Sequence, residues 1–145
     1  MGSAAGRLTM ATQTGPILRP LAVMMRPVGK TVGPDDSLLI AARHMRDGRV
    51  GALLVIQEDR FIGVVSEADL VRKAMANGFH AGEVLVRSVM SAPVVAIDIG
   101  RSAHEASDLM AEHGIRHLAV SEEGAIVGMI SVRDLLRYFK NWGTL

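Results

Sequence analysis

Two serine–aspartate pairs carry the chemistry most open to a ligand: Ser66 with Asp69 in Gly63-Val64-Val65-Ser66-Glu67-Ala68-Asp69, and Ser131 with Asp134 in Gly128-Met129-Ile130-Ser131-Val132-Arg133-Asp134. Each pair follows an apolar run, so the spacing predicts a strand, a sharp turn and a helix. The serine stands where a helix N-cap belongs, its hydroxyl able to accept from an orphan backbone N–H, and the aspartate follows three residues later. A helix start also attracts anions, because its free N–H groups and positive dipole end point outward. A carboxylate beside that opening can accept two hydroxyls of a sugar. Phosphate on the helix start and ribose on the carboxylate outline a nucleotide site, written twice. The plain alternative is a capping box, which needs no ligand. Duplication is what favours more than a cap.

The elements that must position these pairs repeat as well. With the two glycines 65 residues apart, Met25 falls on Met90, Ser37 on Ser102, Ala41 on Ala106, Met45 on Met110, Leu53 on Leu118 and Val55 on Val120 without a gap. Two repeats therefore fill nearly everything from about Leu21 to about Phe139. Each repeat reads strand, helix, strand, strand, helix, an α/β unit with a small mixed sheet, preceded by a short linker helix. The linkers lie before Pro27, ending near Met25, and over Glu83 to Met90. Short strands are expected at Lys30 to Val32 and Val94 to Ile97, then helices capped by Ser37 and Ser102 and closed by Gly48 and Gly114. Hairpins follow, turning at Gln57-Glu58-Asp59-Arg60 and Glu122-Glu123-Gly124, and then final helices over Glu67 to Asn77 and Val132 to about Lys140. The organisation is thus a disordered lead at 1–17, repeats at 18–80 and 81–140, and a tail at 141–145.

Composition limits the functional classes. An apolar fraction of 49% in 145 residues supports a shared core, while either repeat alone would be marginal, so the two are expected to pack together. A formal charge of +1 gives no reason to expect nucleic acid or an anionic membrane as partner. With no cysteine there is no disulfide or thiol chemistry, which fits a reducing compartment. No apolar run approaches the ~18 residues of a membrane span, and no signal-peptide core is present; the reading is cytoplasmic. His113 and His117 have the spacing of a helical metal pair, but Gly114 interrupts it and no third ligand is near in sequence, so no metal is expected. Nucleophile elbows, Walker loops and His-Glu-x-x-His helices are missing, so catalysis is not expected either. Arg87 and Arg101 read as solvated, within reach of a phosphate.

The repeat order, the linkers ending in Val23-Met24-Met25 and Ser88-Val89-Met90, the paired Gly-x-x-Ser-x-x-Asp turns and the block Gly114 to Val120 together resemble a tandem pair of CBS domains, the Bateman module. The resemblance implies two repeats packed about a pseudo-twofold axis, with clefts for an adenosine-containing ligand: AMP, ADP, ATP, NAD or S-adenosylmethionine. By position it implies Asp69 and Asp134 for ribose, and Ser66, Ser131 and Arg133 for phosphate. For adenine it implies Thr31 and Val32 with Gly51 and Ala52, or Ala96 and Ile97 with Arg116 and His117. It also implies a homodimer signalling to a protein target, with a nucleotide as regulatory ligand and no required cofactor. Arg116, His117 and Arg133 make the Asp134 side the more cationic. A ligand-free dimerisation scaffold is the alternative.

Overall fold

Glycine spacing and capping residues set where each element begins. The computed structural model describes residues 19–141. The expectations for the lead at 1–17 and for the tail past residue 141 lie outside them. Helix α1 (Pro20–Met24) takes Pro20 at its first position, where a missing N–H costs nothing. After it come β1 (Arg26–Pro27) and α2 (Leu38–Gly48), whose N-cap Ser37 accepts from the Ile40 N–H. The hairpin β2 (Ala52–Gln57) and β3 (Arg60–Ser66) leads into a short α3 (Glu67–Asp69). The second repeat contains β4 (Ala96–Asp98), α4 (Ala103–His113), the hairpin β5 (His117–Glu122) and β6 (Ala125–Ser131), and α5 (Val132–Asn141). This is the α/β pattern expected, repeated once.

Differences from expectation have local causes. Lys30 to Val32 forms only one parallel bridge, Val32 to Val55, flanked by Gly29 and Gly33. Gly48 is the last residue of α2, and the left-handed cap is Arg49, the offset counterpart of the left-handed Gly114. The linker at Glu83 to Met90 winds only into a 3₁₀ turn, Val86–Ser88. Its backbone is committed elsewhere: Leu38 N–H donates to Val84, Val86 N–H to Asp36 and Arg87 N–H to Pro34. The helix expected over Glu67 to Asn77 continues from α3 as a π turn (Leu70–Ala74) and a 3₁₀ turn (Met75–Asn77). Gly78, left-handed at φ 78°, ends it. The hairpin turns need left-handed backbone at Glu58 and Asp59, and at Glu123 and Gly124.

The two repeats exchange their linkers. Strand β1, in the linker that opens repeat 1, pairs antiparallel with β6 of repeat 2, Arg26 opposite Met129. Ser91, in the linker that opens repeat 2, bridges antiparallel to Val64 of β3. These are the same contact under the 65-residue offset. The sheet of repeat 2 is accordingly ordered β1-β6-β5-β4, with β4 parallel to β5. Burial follows the exchange. Leu21 is fully buried in the core of repeat 2 beside Ile97, Leu118, Ile130 and Phe139, while Val86 is fully buried in the core of repeat 1 beside Val32, Leu53, Val55 and Val65. Each half thus completes the other's core, which accounts for a chain of two repeats too small to stand alone.

The shared geometry of both Gly-x-x-Ser turns comes from this crossing. A Cβ on Gly128 would lie 2.6 Å from the Arg26 carbonyl oxygen, and one on Gly63 would lie 2.7 Å from that of Ser91. Only glycine lets the exchanged linker lie so close. The same crossing delivers residues 23 and 24 to the start of α5.

Candidate functional site

Both serine–aspartate pairs are full capping boxes. Ser66 N–H and hydroxyl donate to Asp69 Oδ2 at 2.9 and 3.1 Å, and Asp69 N–H donates to Ser66 Oγ at 3.2 Å. The second pair repeats this at 2.8, 3.0 and 3.2 Å. Each cap therefore uses one carboxylate oxygen and leaves the other, Oδ1, free to meet something else. Both carboxylates are nearly buried, and a buried charge without a partner is costly. What Oδ1 meets separates the two sites.

On the Asp134 side, the nearest cation is Arg137, its Nη1 3.9 Å from Oδ1 and beyond hydrogen-bonding distance. A groove of about 130 Å³ opens there, lined by Val23, Met24, Asp134, Arg137, Tyr138 and Asn141. Enclosed small-molecule pockets run ~300–1,000 Å³, so this groove is smaller than one that encloses a whole ligand. On the Asp69 side, Lys73 Nζ lies 2.9 Å from Oδ1 and donates to the Val89 carbonyl at 3.0 Å.

The remaining candidates gather around these helix starts in two matching sets. In the first, Ala52 pairs with Ser66 across the hairpin, the Gly51 carbonyl accepts from Glu67 N–H at 2.9 Å, and Val32 runs beside Leu54 and Val55, carrying Thr31 with it. In the second, His117 pairs with Ser131, the Arg116 carbonyl accepts from Val132 N–H at 2.9 Å, and Ala96 and Ile97 pair with Ala119 and Val120. Val32, Ala52 and Ile97 are buried, so their side chains belong to the core. Arg116 and Arg133 are exposed and make no ion pair among the described residues. Arg87 and Arg101 are engaged by Asp35 and Glu105.

His117 joins the two sets. Its ring packs over Gly51 of the other repeat: a Cβ there would lie 3.3 Å from both Cε1 and Nε2. Burial pushes its pKa below the ordinary histidine value and Arg116 adds to this, against the pull of Glu67 and Asp134. Neutral His117 therefore contributes stability above about pH 6.5, the unfolded value, and that contribution is lost as pH falls through the folded pKa. Urea unfolding at pH 7.5 and 5.5 is expected to show a smaller acid loss in His117→Gln than in the wild type. Equal losses would remove His117 from the account.

The sequence reading missed Lys73, Arg137, Tyr138 and Asn141. Lys73 stands four residues after Asp69 and Arg137 three after Asp134, spacings that place side chains on one helix face; that signal was available. What was not available was the exchanged linker, which supplies Val23 and Met24 to one site and Val89 to the other.

The CBS domain family matches twice, over residues 21–76 and 86–141. An uncharacterized protein of Methanopyrus kandleri is 33% identical over 109 residues, 74% of this chain and 56% of its own length. The CBS domain-containing protein YhcV of Bacillus subtilis is 32% identical over 105 residues, 72% of this chain and 74% of its own. Thus the chain spans little more than half of the first relative and about three quarters of the second. Among solved structures, a Burkholderia ambifaria protein with CBS domains, thought to act in signal transduction, superimposes with a TM-score of 0.71 at 34% identity, covering 74% of this chain and 79% of that one.

Proposed function

The chain belongs to the CBS domain family, carrying two copies in tandem, and on that premise we propose that it is a non-catalytic regulatory module that senses an adenosine-containing ligand and signals to a protein partner. One observation carries the reading: Asp134 is a nearly buried carboxylate that lines an open groove and keeps Oδ1 out of its own capping box. A ribose brings two hydroxyl donors, and such hydroxyls suit that oxygen. The positive end of the α5 dipole and the exposed Arg133 and Arg116 guanidiniums favour the phosphate, with the Ser131 hydroxyl turning from Asp134 to donate to it. Adenine then lies toward Ala96, Ile97 and His117; Thr31, Val32, Gly51 and Ala52 hold the corresponding places beside Ser66 and Asp69. Ligand binding shifts the module between states its partner distinguishes, by the difference in affinity for the two.

Pairing of two copies is part of the proposal. Val71 and Leu136, equivalent under the offset, are apolar and well exposed after the two helix starts, with Met75 close to Val71. The same pair favours the second reading, a dimerising scaffold without a ligand. Cytoplasmic placement is supported by the cysteine-free composition. Among the described residues no helix is long and apolar enough to cross a membrane.

A thermal-shift series with AMP, ADP, ATP, NAD and S-adenosylmethionine separates the readings. At 100 times its dissociation constant a true ligand adds about 2.7 kcal/mol, several degrees in Tm. That rise is expected in the wild type and is expected to vanish in Asp134→Asn. Flat responses from all five ligands would hand the case to the scaffold.

A further inference from the structure

We propose that Lys73 is the first repeat's own occupant of its carboxylate site, so that only the Asp134 side is open to a ligand. The ligand class rests on the sensing reading above, whereas the occupancy of the first site rests on geometry alone. Under the 65-residue offset, the groove residues Met24, Asp134 and Tyr138 correspond to Val89, Asp69 and Lys73. Where repeat 2 has a groove between those elements, repeat 1 has the Lys73 side chain spanning them. Its ammonium touches Asp69 Oδ1 at 2.9 Å and the Val89 carbonyl at 3.0 Å. It therefore fixes α3 to the exchanged linker across the space that the counterpart leaves open.

The residue at the matching position in repeat 2 explains why that groove stays open. Tyr138 carries no charge, and its ring packs edge-on against Phe139 with centroids 5.5 Å apart, beside the core of repeat 2. Arg137 stays 3.9 Å from Asp134 Oδ1, with its side chain largely in solvent. A ligand hydroxyl reaching Asp69 must first displace an ammonium, and charge-assisted hydrogen bonds are about twice as strong as neutral ones. At Asp134 it displaces nothing comparable. One chain thus holds an open site and a closed copy of it, and Lys73 against Tyr138 decides which is which.

Two measurements test this, one of them free of nucleotide. The chain has three lysines, Lys30, Lys73 and Lys140, so reductive methylation read by mass spectrometry resolves each. Lys73 is expected to react at least about threefold more slowly than the other two, and Asp69→Asn to bring it toward their rate, because the Asp69 carboxylate and the Val89 carbonyl hold its nitrogen away from the reagent. Equal rates in the wild type overturn the proposal whatever nucleotides do. Calorimetric titration with AMP and with ATP is expected to give one equivalent in the wild type, two in Lys73→Met, and none in Tyr138→Lys, which copies the occupant into repeat 2. Two equivalents in the wild type, or a single site lost in Asp69→Asn and kept in Asp134→Asn, overturn it. If neither nucleotide binds the wild type or Lys73→Met, the sensing reading fails, and the methylation rates alone decide the role of Lys73.

Discussion

Gly128→Ala is expected to lower the melting temperature by roughly 10 °C. The added Cβ would stand 2.6 Å from the Arg26 carbonyl oxygen and 2.8 Å from the Met25 sulfur. The sulfur ends a flexible side chain and can turn away; the carbonyl belongs to β1, which is held in register on β6. Relief therefore requires β1 to lift off the sheet. Overpacking of this kind costs typically ~1–3 kcal/mol and sometimes more, and the backbone contact places this substitution at the upper end. For a domain of this size each kcal/mol is worth about 3–4 °C. Gly63→Ala is expected to behave alike, since its Cβ would meet the Ser91 carbonyl at 2.7 Å. Circular-dichroism melts decide the matter: a loss below about 3 °C in both variants would mean that the linkers do not cross there.

Leu21→Ala is the second large effect, and its location matters more than its size. Leu21 is fully buried, and truncating such a leucine costs ~2–5 kcal/mol. Although it lies in the linker that opens repeat 1, its neighbours are Ile97, Leu118, Ile130 and Phe139. Native-state hydrogen exchange is therefore expected to show the protection of β5, β6 and α4 falling first, with β2 and β3 following only through the shared fold. Loss confined to β2 and β3 would refute the exchange of linkers. Val86→Ala, the counterpart in the core of repeat 1, should produce the mirror-image pattern.

Much of this architecture was legible because local chemistry announces it. Ser37 and Ser102 cap their helices as their positions suggest, Asn77-Gly78 ends its segment, and both polar turns close hairpins. The offset of 65 could be read because corresponding burial demands corresponding residues, as with Leu53 and Leu118. Linker exchange could not be read. A repeat written twice is equally compatible with each linker covering its own repeat or the other, since Leu21 and Val86 are apolar in either case. The break after α3 was also hidden. Leu70 to Ala76 is made of ordinary helix residues, yet Ala74 departs to φ −119° and its carbonyl accepts from Phe79 N–H. At the site, the capping boxes were readable from spacing. The closure of one of them by Lys73 needed Val89, sixteen residues away, to be seen in place.

The crossing of β1 onto β6 also sets a timetable for synthesis. Arg26 leaves the ribosome 103 residues ahead of its partner Met129, the same separation as the ion pair between Arg19 and Glu122. At about 5–20 residues per second, Leu21 and its neighbours wait roughly 5–20 s with no core to enter. This apolar segment is thus among the last to be covered, and chaperone capture of the nascent chain should centre on it.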